Sequence, residues 1–376
     1  MAIKHTFVSA IADGADATLV RPSNWNANHT IDNNTITYAM IQAVTAGRIL
    51  GSIAGGNVAE LTPSQIFDLV SSTNGVLLTR TGGTWAALAN WSTDNGDLVA
   101  NTNAAPVAPA SGKAKLFATD LAGRPMIAQL APAGAPAIAQ PFLGQKNFLL
   151  WTPAANTATM GVVGAPAVTA TGTATARAFA TTSLVTASKR VGYVSAATAA
   201  AVGGVRSPQL AFWRGNAAGL GGFTFVMRFA VSDAVLVTTG RTFCGLNNGG
   251  APTDVDPSTL TNLVGIGADN GDTTLQLYAA GAAAQARTSL GASFPINTGT
   301  NNEIYELALY APPNGSSISY RVTRLSTGNV ATGTISAGAS LLGNTLGLAA
   351  QLWRSNGATA AAVGIDCLGL YMESDY

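Results

Sequence analysis

The sequence predicts a mainly β protein whose C-terminal part, residues 145–376, folds as an antiparallel sandwich or jelly roll. Three observations indicate this class. Apolar residues recur at every second position in several segments, as in strands with one face on a core. Asn-Gly, the dipeptide most typical of hairpin turns, occurs six times. The 376 residues include 42 glycines and only 10% charged side chains, a composition unlike that of disordered or coiled-coil chains.

The clearest alternation covers residues 223–231, and residues 318–323 repeat the pattern. Its apolar positions are Phe223, Phe225, Met227, Phe229 and Val231. Further strands are predicted over 147–151, 262–268, 273–278, 303–310, 346–353 and 361–371. The Asn-Gly pairs begin at residues 74, 95, 248, 270, 314 and 356, and we expect them to turn the chain between strands.

For the first 144 residues the sequence predicts several small structural segments rather than one large domain. We divide the chain into segments 1–31, 32–103, 104–144 and 145–376. A short helix is expected with Thr62 as N-cap, Pro63 at its first position and a body over 64–70. Six prolines within 104–141 favour extended segments and linkers. The Thr-rich stretch 168–176 fits either an edge strand or a flexible linker.

Two cysteines, Cys244 and Cys367, are too few for a disulfide framework. Apolar or glycine neighbours favour two buried free thiols, and one disulfide between them is the alternative.

Few residues are suited to catalysis. Both histidines, His5 and His29, lie near the N-terminus, so the C-terminal part has no histidine to serve as a catalytic base or zinc ligand. A polysaccharide-cleaving enzyme needs only two carboxyl groups. The acids that could supply them are Asp233, Asp254, Asp256, Asp269, Asp272, Glu303, Glu306 and Asp366. Because Glu303 and Glu306 are three residues apart on one predicted strand, they point to opposite faces.

Loop aspartates at 254, 256, 269 and 272 fit either a calcium site or turns in which each side chain bonds its own backbone. The EF-hand spacing is absent, so we expect no metal and no cofactor. A formal net charge of +1 gives no reason to expect nucleic acid as a partner.

Aromatic side chains in the C-terminal part have two interpretations. They can be core or subunit-interface residues, or they can form a sugar-binding surface on which pyranose rings stack. The candidate ligand-binding residues are Trp213, Arg214, Tyr305, Trp353 and Arg354. Arg214 and Arg354 each directly follow a tryptophan that lies in or beside a strand. Neighbours on a strand point to opposite faces, which predicts a buried tryptophan and an exposed arginine.

Residues 3–31, IKHTFVSAIADGADATLVRPSNWNANHTI, resemble the N-terminal segment of tailed-bacteriophage fibre and tail proteins. The resemblance is carried by Lys4, His5, Phe7, Asp13, Gly14, Arg21, Pro22, Trp25, Asn26 and His29. Residues 47–70 resemble a bead that follows this segment in such proteins. Residues 113–130 resemble a small β module that precedes their distal domain. Residues 145–376 are similar to distal domains of jelly-roll or lectin-like sandwich type.

The resemblance implies a virion protein, a homotrimer attached to phage neck, tail or baseplate proteins through residues 1–31. Its C-terminal domain would contact the bacterial surface, through a glycan or an outer-membrane receptor. Two alternatives stay open: a structural collar, tail-tip or decoration protein without a ligand, and a polysaccharide depolymerase. For residues 1–31 the alternative is a mobile terminus, although Phe7, Val20 and Trp25 favour the anchor.

Overall fold

The computed structural model describes most of the chain from residue 84 onward. The described residues are 2–3, 12, 14–15, 29–30, 49–51, 59–68, 76–81, 84–104, 106–132, 137–139, 147–164, 167–210, 212–215, 220–233, 235–299, 303–313, 315–336 and 338–374. The chain divides into two compact units, residues 1–99 and 100–376. No helix in these described ranges is long and apolar enough to cross a membrane.

The N-terminal unit contains short paired strands. The pairs are β1 (Ala2–Ile3) with β2 (His29–Thr30), and β3 (Ile49–Gly51) with β4 (Ala59–Leu61). The strands β5 (Val76–Thr81), β6 (Thr84–Asp94) and β7 (Asp97–Ala100) form a three-stranded sheet. Of the predicted anchor residues, His29 lies in β2 and Gly14 is exposed. The others lie outside the described residues: Lys4, His5, Phe7, Asp13, Arg21, Pro22, Trp25 and Asn26.

Helix α1 (Pro63–Asp68) confirms the predicted start at Thr62. The Thr62 hydroxyl accepts a hydrogen bond from the Gln65 N–H at 3.1 Å, and the Gln65 side chain accepts one from the Thr62 N–H at 2.8 Å. These reciprocal bonds form a capping box, with proline at the first helical position. Residues 69–70 of the predicted helix lie outside the described residues.

The proline-rich stretch holds a small sheet, ordered β10 (Ala137–Ile138), β9 (Arg124–Leu130), β8 (Lys115–Leu121). Ala122 and Gly123 turn the β8–β9 hairpin with φ of 53° and 85°, a pair of left-handed residues that suits a two-residue hairpin. Phe117, Ala128 and Leu130 pack together on one face.

Sixteen further strands lie between residues 148 and 374 of the described chain. They are β11 (Phe148–Pro153), β12 (Met160–Val163), β13 (Thr169–Thr171), β14 (Thr173–Ala176), β15 (Val191–Val194), β16 (Val202–Arg206), β17 (Phe223–Val231), β18 (Arg241–Asn247), β19 (Leu263–Ala268), β20 (Gln276–Ala280), β21 (Thr288–Ser289), β22 (Tyr305–Ala311), β23 (Ile318–Arg324), β24 (Asn329–Ile335), β25 (Ala349–Ser355) and β26 (Gly364–Ser374).

These strands form two antiparallel sheets that face each other across one core, which confirms the predicted sandwich. The nine-stranded sheet runs β12-β11-β26-β17-β22-β23-β24, with β15 beside β26 and β14 beside β15. The seven-stranded sheet runs β13-β16-β25-β18-β19-β20-β21. All five predicted apolar positions of β17 are buried in the core, at no more than 3% exposure. The opposite sheet contributes Cys244, Ile266 and Leu352.

The Thr-rich stretch 168–176 forms two strands rather than a linker. β13 is the edge of the seven-stranded sheet, and β14 joins the other sheet through β15. Gly172 lies between them with φ of 71°, and a Cβ there would stand 2.5 Å from the Val194 carbonyl oxygen. The chain therefore changes sheets at a position that only glycine fits.

Two sequence expectations have different outcomes. Asn95–Gly96 turns β6 into β7, with φ of 48° and 90°, as an Asn-Gly hairpin predicts. Asn356–Gly357 does not form a hairpin, because β25 and β26 belong to different sheets. Asn356 is buried, and its side-chain amide donates to three backbone carbonyls, so it fixes a crossover.

Both cysteines are buried free thiols, as predicted. Cys244 lies on the inner face of β18, with its Sγ 3.3 Å from the sulfur of Met227. Burial raises the pKa of Cys244 well above its ordinary value, and it raises the pKa of Cys367 to about 12.

The tip of the β8–β9 hairpin packs on the outer face of the nine-stranded sheet. Leu121 and Ala122 are buried against Ala308, next to the half-buried Val226 and Tyr310. The Arg124 guanidinium lies 2.5 Å from the buried Glu373 carboxylate and also donates to the Thr224 hydroxyl. Another contact runs from Arg321 to the Asp120 carbonyl oxygen at 3.2 Å. Residues 115–130 therefore belong to the sandwich as a packed layer.

Candidate binding site

All eight acids considered for polysaccharide cleavage are ion-paired with arginine. The pairs are Asp233–Arg354 (2.5 Å), Asp366–Arg177 (3.0 Å), Asp366–Arg190 (3.0 Å), Glu303–Arg324 (2.5 Å), Glu306–Arg228 (2.7 Å), Asp254–Arg241 (2.8 Å), Asp256–Arg241 (2.6 Å), Asp269–Arg287 (2.9 Å) and Asp272–Arg287 (3.0 Å). A guanidinium at this range favours the ionised carboxylate. Each of these carboxyl groups therefore already has a cationic partner within the fold.

The surroundings of Asp256 and Glu303 lower the pKa of both carboxyl groups. Burial acts to raise the pKa of Asp256, but the Asn270 N–H and Arg241 outweigh it and hold that pKa below its ordinary value. Burial also opposes Arg324 at Glu303, and the arginine again prevails, so the pKa of Glu303 is lowered. A general acid requires the opposite shift, toward neutral pH.

Three of the five predicted ligand contacts are buried in the fold, which corrects that prediction. Tyr305 is fully buried, packs on Phe229 and donates its hydroxyl hydrogen to the Pro295 carbonyl oxygen. Trp353 and Arg354 are each 1% exposed. Side chains enclosed in this way cannot contact an external ligand.

Trp353 and Arg354 point to opposite faces of β25, as predicted, but both side chains are covered. Arg354 points into the sandwich, where it pairs with Asp233 and donates to the Thr242 hydroxyl at 2.7 Å. Trp353 lies on the outer face in a small apolar cluster that includes its cross-strand neighbour Phe243. The prediction of an exposed arginine is therefore wrong at this pair.

The other tryptophan–arginine pair lies near a loop. Trp213 is half-buried. Arg214 donates to the carbonyl oxygens of Leu342, at 3.1 Å, and Gly315. Burial lowers the pKa of the Arg214 guanidinium. Ligand contact by these two residues stays a prediction.

The outer face of the seven-stranded sheet is covered by the loop that joins β18 to β19, residues 248–262. Leu260 packs on the apolar cluster around Trp353, and Gln351 of β25 donates to the Gly250 carbonyl oxygen at 2.9 Å. Arg241 of β18 holds two loop aspartates, Asp254 and Asp256. This loop turns a sheet face into a second, smaller core.

The loop aspartates meet a second arginine at the edge of this covered face. Ser258 donates its N–H to Asp269 at 3.2 Å, so the loop 248–262 touches the β19–β20 turn. Arg287, next to β21, donates to Asp269 and Asp272 at 2.9 and 3.0 Å. The four aspartates that were considered for a calcium site are thus paired with the guanidinium groups of Arg241 and Arg287. Among the described residues, no three His, Cys, Asp or Glu side chains are grouped to hold a metal ion.

An open cleft of about 510 Å³ lies beside Arg287. It is lined by Ser258, Gln276, Ala284, Gln285, Ala286, Arg287 and Ser289, and it is called the Arg287 cleft below. Gln276 and Ser289 are direct cross-strand partners on β20 and β21. The alanines come from the exposed loop 282–286, whose small side chains leave the space open.

The Arg287 cleft presents several hydrogen-bonding groups. Gln276 is buried, and its side-chain amide nitrogen donates to the carbonyl and hydroxyl oxygens of Thr274 at 3.0 and 3.1 Å. Its amide oxygen therefore remains to accept a bond from a ligand. Gln285 and the hydroxyls of Ser258 and Ser289 add further donors and acceptors. The cleft can bind a polar molecule but presents no paired, protonatable acids.

Sequence reasoning missed this cleft. The stretch GAAAQAR, residues 281–287, has no aromatic residue, histidine or acid. The available signal was the run of small residues that ends in Gln285 and Arg287 directly before an edge strand.

The fold and the cleft together define a two-sheet antiparallel β-sandwich with a polar cleft at one sheet edge. No protein-family model matches the chain, and no curated protein matches it. Among solved structures, peanut lectin with a nine-residue peptide is 13% identical over 61% of this chain and 97% of that chain, with a TM-score of 0.40. Lectin II from Ulex europaeus is 13% identical over 56% and 93%, with a TM-score of 0.37. A protein of unknown function from Shewanella oneidensis MR-1 is 13% identical over 60% and 85%, with a TM-score of 0.40.

Proposed function

We propose that this chain is a bacteriophage fibre or spike protein that attaches to the virion through residues 1–31 and binds the bacterial surface through residues 100–376. The observation that carries the binding half is the Arg287 cleft. It offers amide and hydroxyl groups in an open setting beside the ion-paired Arg287, which suits the hydroxyl-rich surface of a glycan. The attachment half is supported by the resemblance of residues 3–31.

Arginine pairing favours binding over cleavage. A glycosidase needs one carboxylic acid with a raised pKa and a second carboxylate about 5 to 9.5 Å away. Here all eight candidate carboxylates have an arginine partner, and none lines the Arg287 cleft. The depolymerase alternative has no supporting geometry among these residues.

The test of binding is a cell assay with the full-length protein. Fluorescently labelled protein, with its oligomeric state measured by sedimentation, is added to a panel of bacterial strains. Strain-selective binding is the expected result. Absence of binding by folded protein on every strain would favour the structural virion component instead. Release of reducing sugar ends from purified surface polysaccharide would contradict the non-enzymatic assignment.

Attachment is tested separately, by deleting residues 1–31. We expect the remaining chain to fold and to be missing from purified phage particles. Particles that carry the truncated protein at the normal copy number would contradict the anchor.

A further inference from the structure

We propose that the Arg287 cleft selects uncharged or amine-bearing saccharides and rejects acidic ones. This inference rests on the proposed function, because it names the class of glycan that the surface-binding site accepts. It is argued from the bonding state of Arg287, from the charges around the cleft and from the side chains that remain available to a ligand.

The cation of the cleft is already committed. Both terminal nitrogens of Arg287 donate to aspartates, one to Asp269 and one to Asp272. An acidic sugar would have to compete with two carboxylates for this guanidinium. Both bonds are charge-assisted hydrogen bonds, the stronger kind, and both acceptors are held in place by the fold, so the competition favours the aspartates.

The surrounding charges reinforce the selection. Four carboxylates, at 254, 256, 269 and 272, share the two guanidinium groups of Arg241 and Arg287. Two negative charges remain in this network, and hydrogen bonds from Ser258 and Asn270 join its two halves. The resulting field repels a uronate or sialate carboxyl group and attracts an ammonium group.

The remaining lining groups fit uncharged hydroxyls. The free amide oxygen of Gln276 accepts, and the hydroxyl of Ser289, its cross-strand partner, can donate or accept. Gln285, a half-buried residue of the loop 282–286, adds a second side-chain amide to the lining of the cleft. Ala284 and Ala286 supply two small apolar contacts without narrowing the cleft.

The experiment compares probes of one length that differ in charge. Full-length protein is titrated with tetramers of N-acetylglucosamine, glucosamine and galacturonic acid, and is also applied to an array of neutral, amine-bearing and acidic oligosaccharides. We expect the bound glycans to be neutral or amine-bearing, with acidic analogues on the order of tenfold weaker, a factor that corresponds to about 1.4 kcal/mol. The difference should shrink at high salt.

Variants locate the binding. Gln285→Ala and Gln276→Ala should weaken binding of the neutral glycans, while Gln129→Ala, an exposed glutamine on the β8–β9 hairpin, should not. Asp272→Asn, which removes one of the negative charges, should narrow the gap between neutral and acidic probes. Circular dichroism and melting temperature report whether each variant is folded. If Gln276→Ala does not fold, Gln285→Ala on the exposed loop provides the test alone.

Different outcomes separate this inference from the proposed function. Preference for acidic glycans overturns the inference while leaving surface binding intact. Cell and glycan binding that Gln285→Ala and Gln276→Ala leave unchanged also overturns it, because the ligand then sits elsewhere. Absence of binding to all cells and all arrayed glycans contradicts both proposals together.

Discussion

The two outer faces of the sandwich are each partly covered, but by different means. The nine-stranded sheet is covered by a segment from outside the sandwich strands, the β8–β9 hairpin, through apolar contacts and one buried ion pair at Arg124. The seven-stranded sheet is covered by its own loop, residues 248–262, through aspartates that pair with Arg241. The first covering is complete where the hairpin tip lies, and the second leaves the Arg287 cleft open at its edge.

This difference indicates that the folding unit includes the β8–β9 hairpin, and that a ligand can enter at the Arg287 cleft. A sheet face that buries Ala308 under another segment depends on that segment for its stability. A face covered by a charged loop instead tolerates an open edge, because arginine and aspartate remain compatible with water.

The largest expected effect comes from removing the hairpin. A fragment of residues 145–376 should aggregate or melt well below a fragment of residues 100–376, because it exposes Val226, Ala308 and Tyr310 and leaves Glu373 without Arg124. Size-exclusion chromatography and thermal melts of the two fragments test this. Equal melting temperatures would show that the hairpin is an accessory rather than a layer of the fold.

The next effect separates a buried ion pair from an exposed one on the same sheet face. Arg124→Ala should lower the free energy of unfolding by about 3 kcal/mol, since it leaves a carboxylate that is 1% exposed without its cation. Arg228→Ala is the matched control. Its side chain is 56% exposed in the pair with Glu306, so its loss should cost about 0.5 kcal/mol or less. Urea unfolding of both variants gives the comparison, and similar losses would contradict it.

A glycine pair tests the docking of the hairpin tip. Gly123→Ala should cost about 1 kcal/mol for its left-handed backbone, and somewhat more because the new Cβ would lie 3.1 Å from the Ser319 hydroxyl. Gly328→Ala has a similar φ, 76° against 85°, and no atom within 4 Å. The difference between the two unfolding free energies isolates the contact with the sheet. No difference would mean that the tip moves freely to accommodate a methyl group.

The smallest effect concerns acid and belongs to the loop side. The pKa of Asp256 is lowered in the folded state, so its ionised form stabilises the fold. This contribution to the free energy of unfolding is fully present above the ordinary pKa of 3.8 and is lost as the pH falls through the lower folded value. The side chain is 33% exposed, so we expect on the order of 0.5 kcal/mol. Urea midpoints at pH 7 and pH 3 should therefore fall less for Asp256→Asn than for the unchanged protein. An identical fall would show that the pair with Arg241 adds nothing to stability.

Local patterns in the sequence predicted the strands well. The alternation over 223–231 specifies which face of β17 enters the core, since every second side chain points the same way. The Thr62 and Gln65 capping box is equally local, with partners three residues apart.

Long-range partners could not be predicted in the same way. Arg354 is buried because Asp233, 121 residues away, neutralises it. Trp353 is buried because a loop from elsewhere in the chain covers it, and alternation says nothing about a third layer. The Asn356–Gly357 pair specifies a turn but not the sheet that the next strand joins. The cleft requires the edge pairing of Gln276 with Ser289, which follows from sheet topology and not from composition.

The contact between Arg124 and Glu373 also bears on the order in which a pull on the chain would reach the sandwich strands. β11, the first sandwich strand, pairs with β26 so that Phe148 stands opposite Glu373, and the Ser374 N–H donates to the Asn147 carbonyl oxygen at 2.9 Å. A pull on the chain from residue 100 reaches Arg124 before it reaches β11. Such a pull would therefore load the contacts of the β8–β9 hairpin, including the one with β26, before it loads β11.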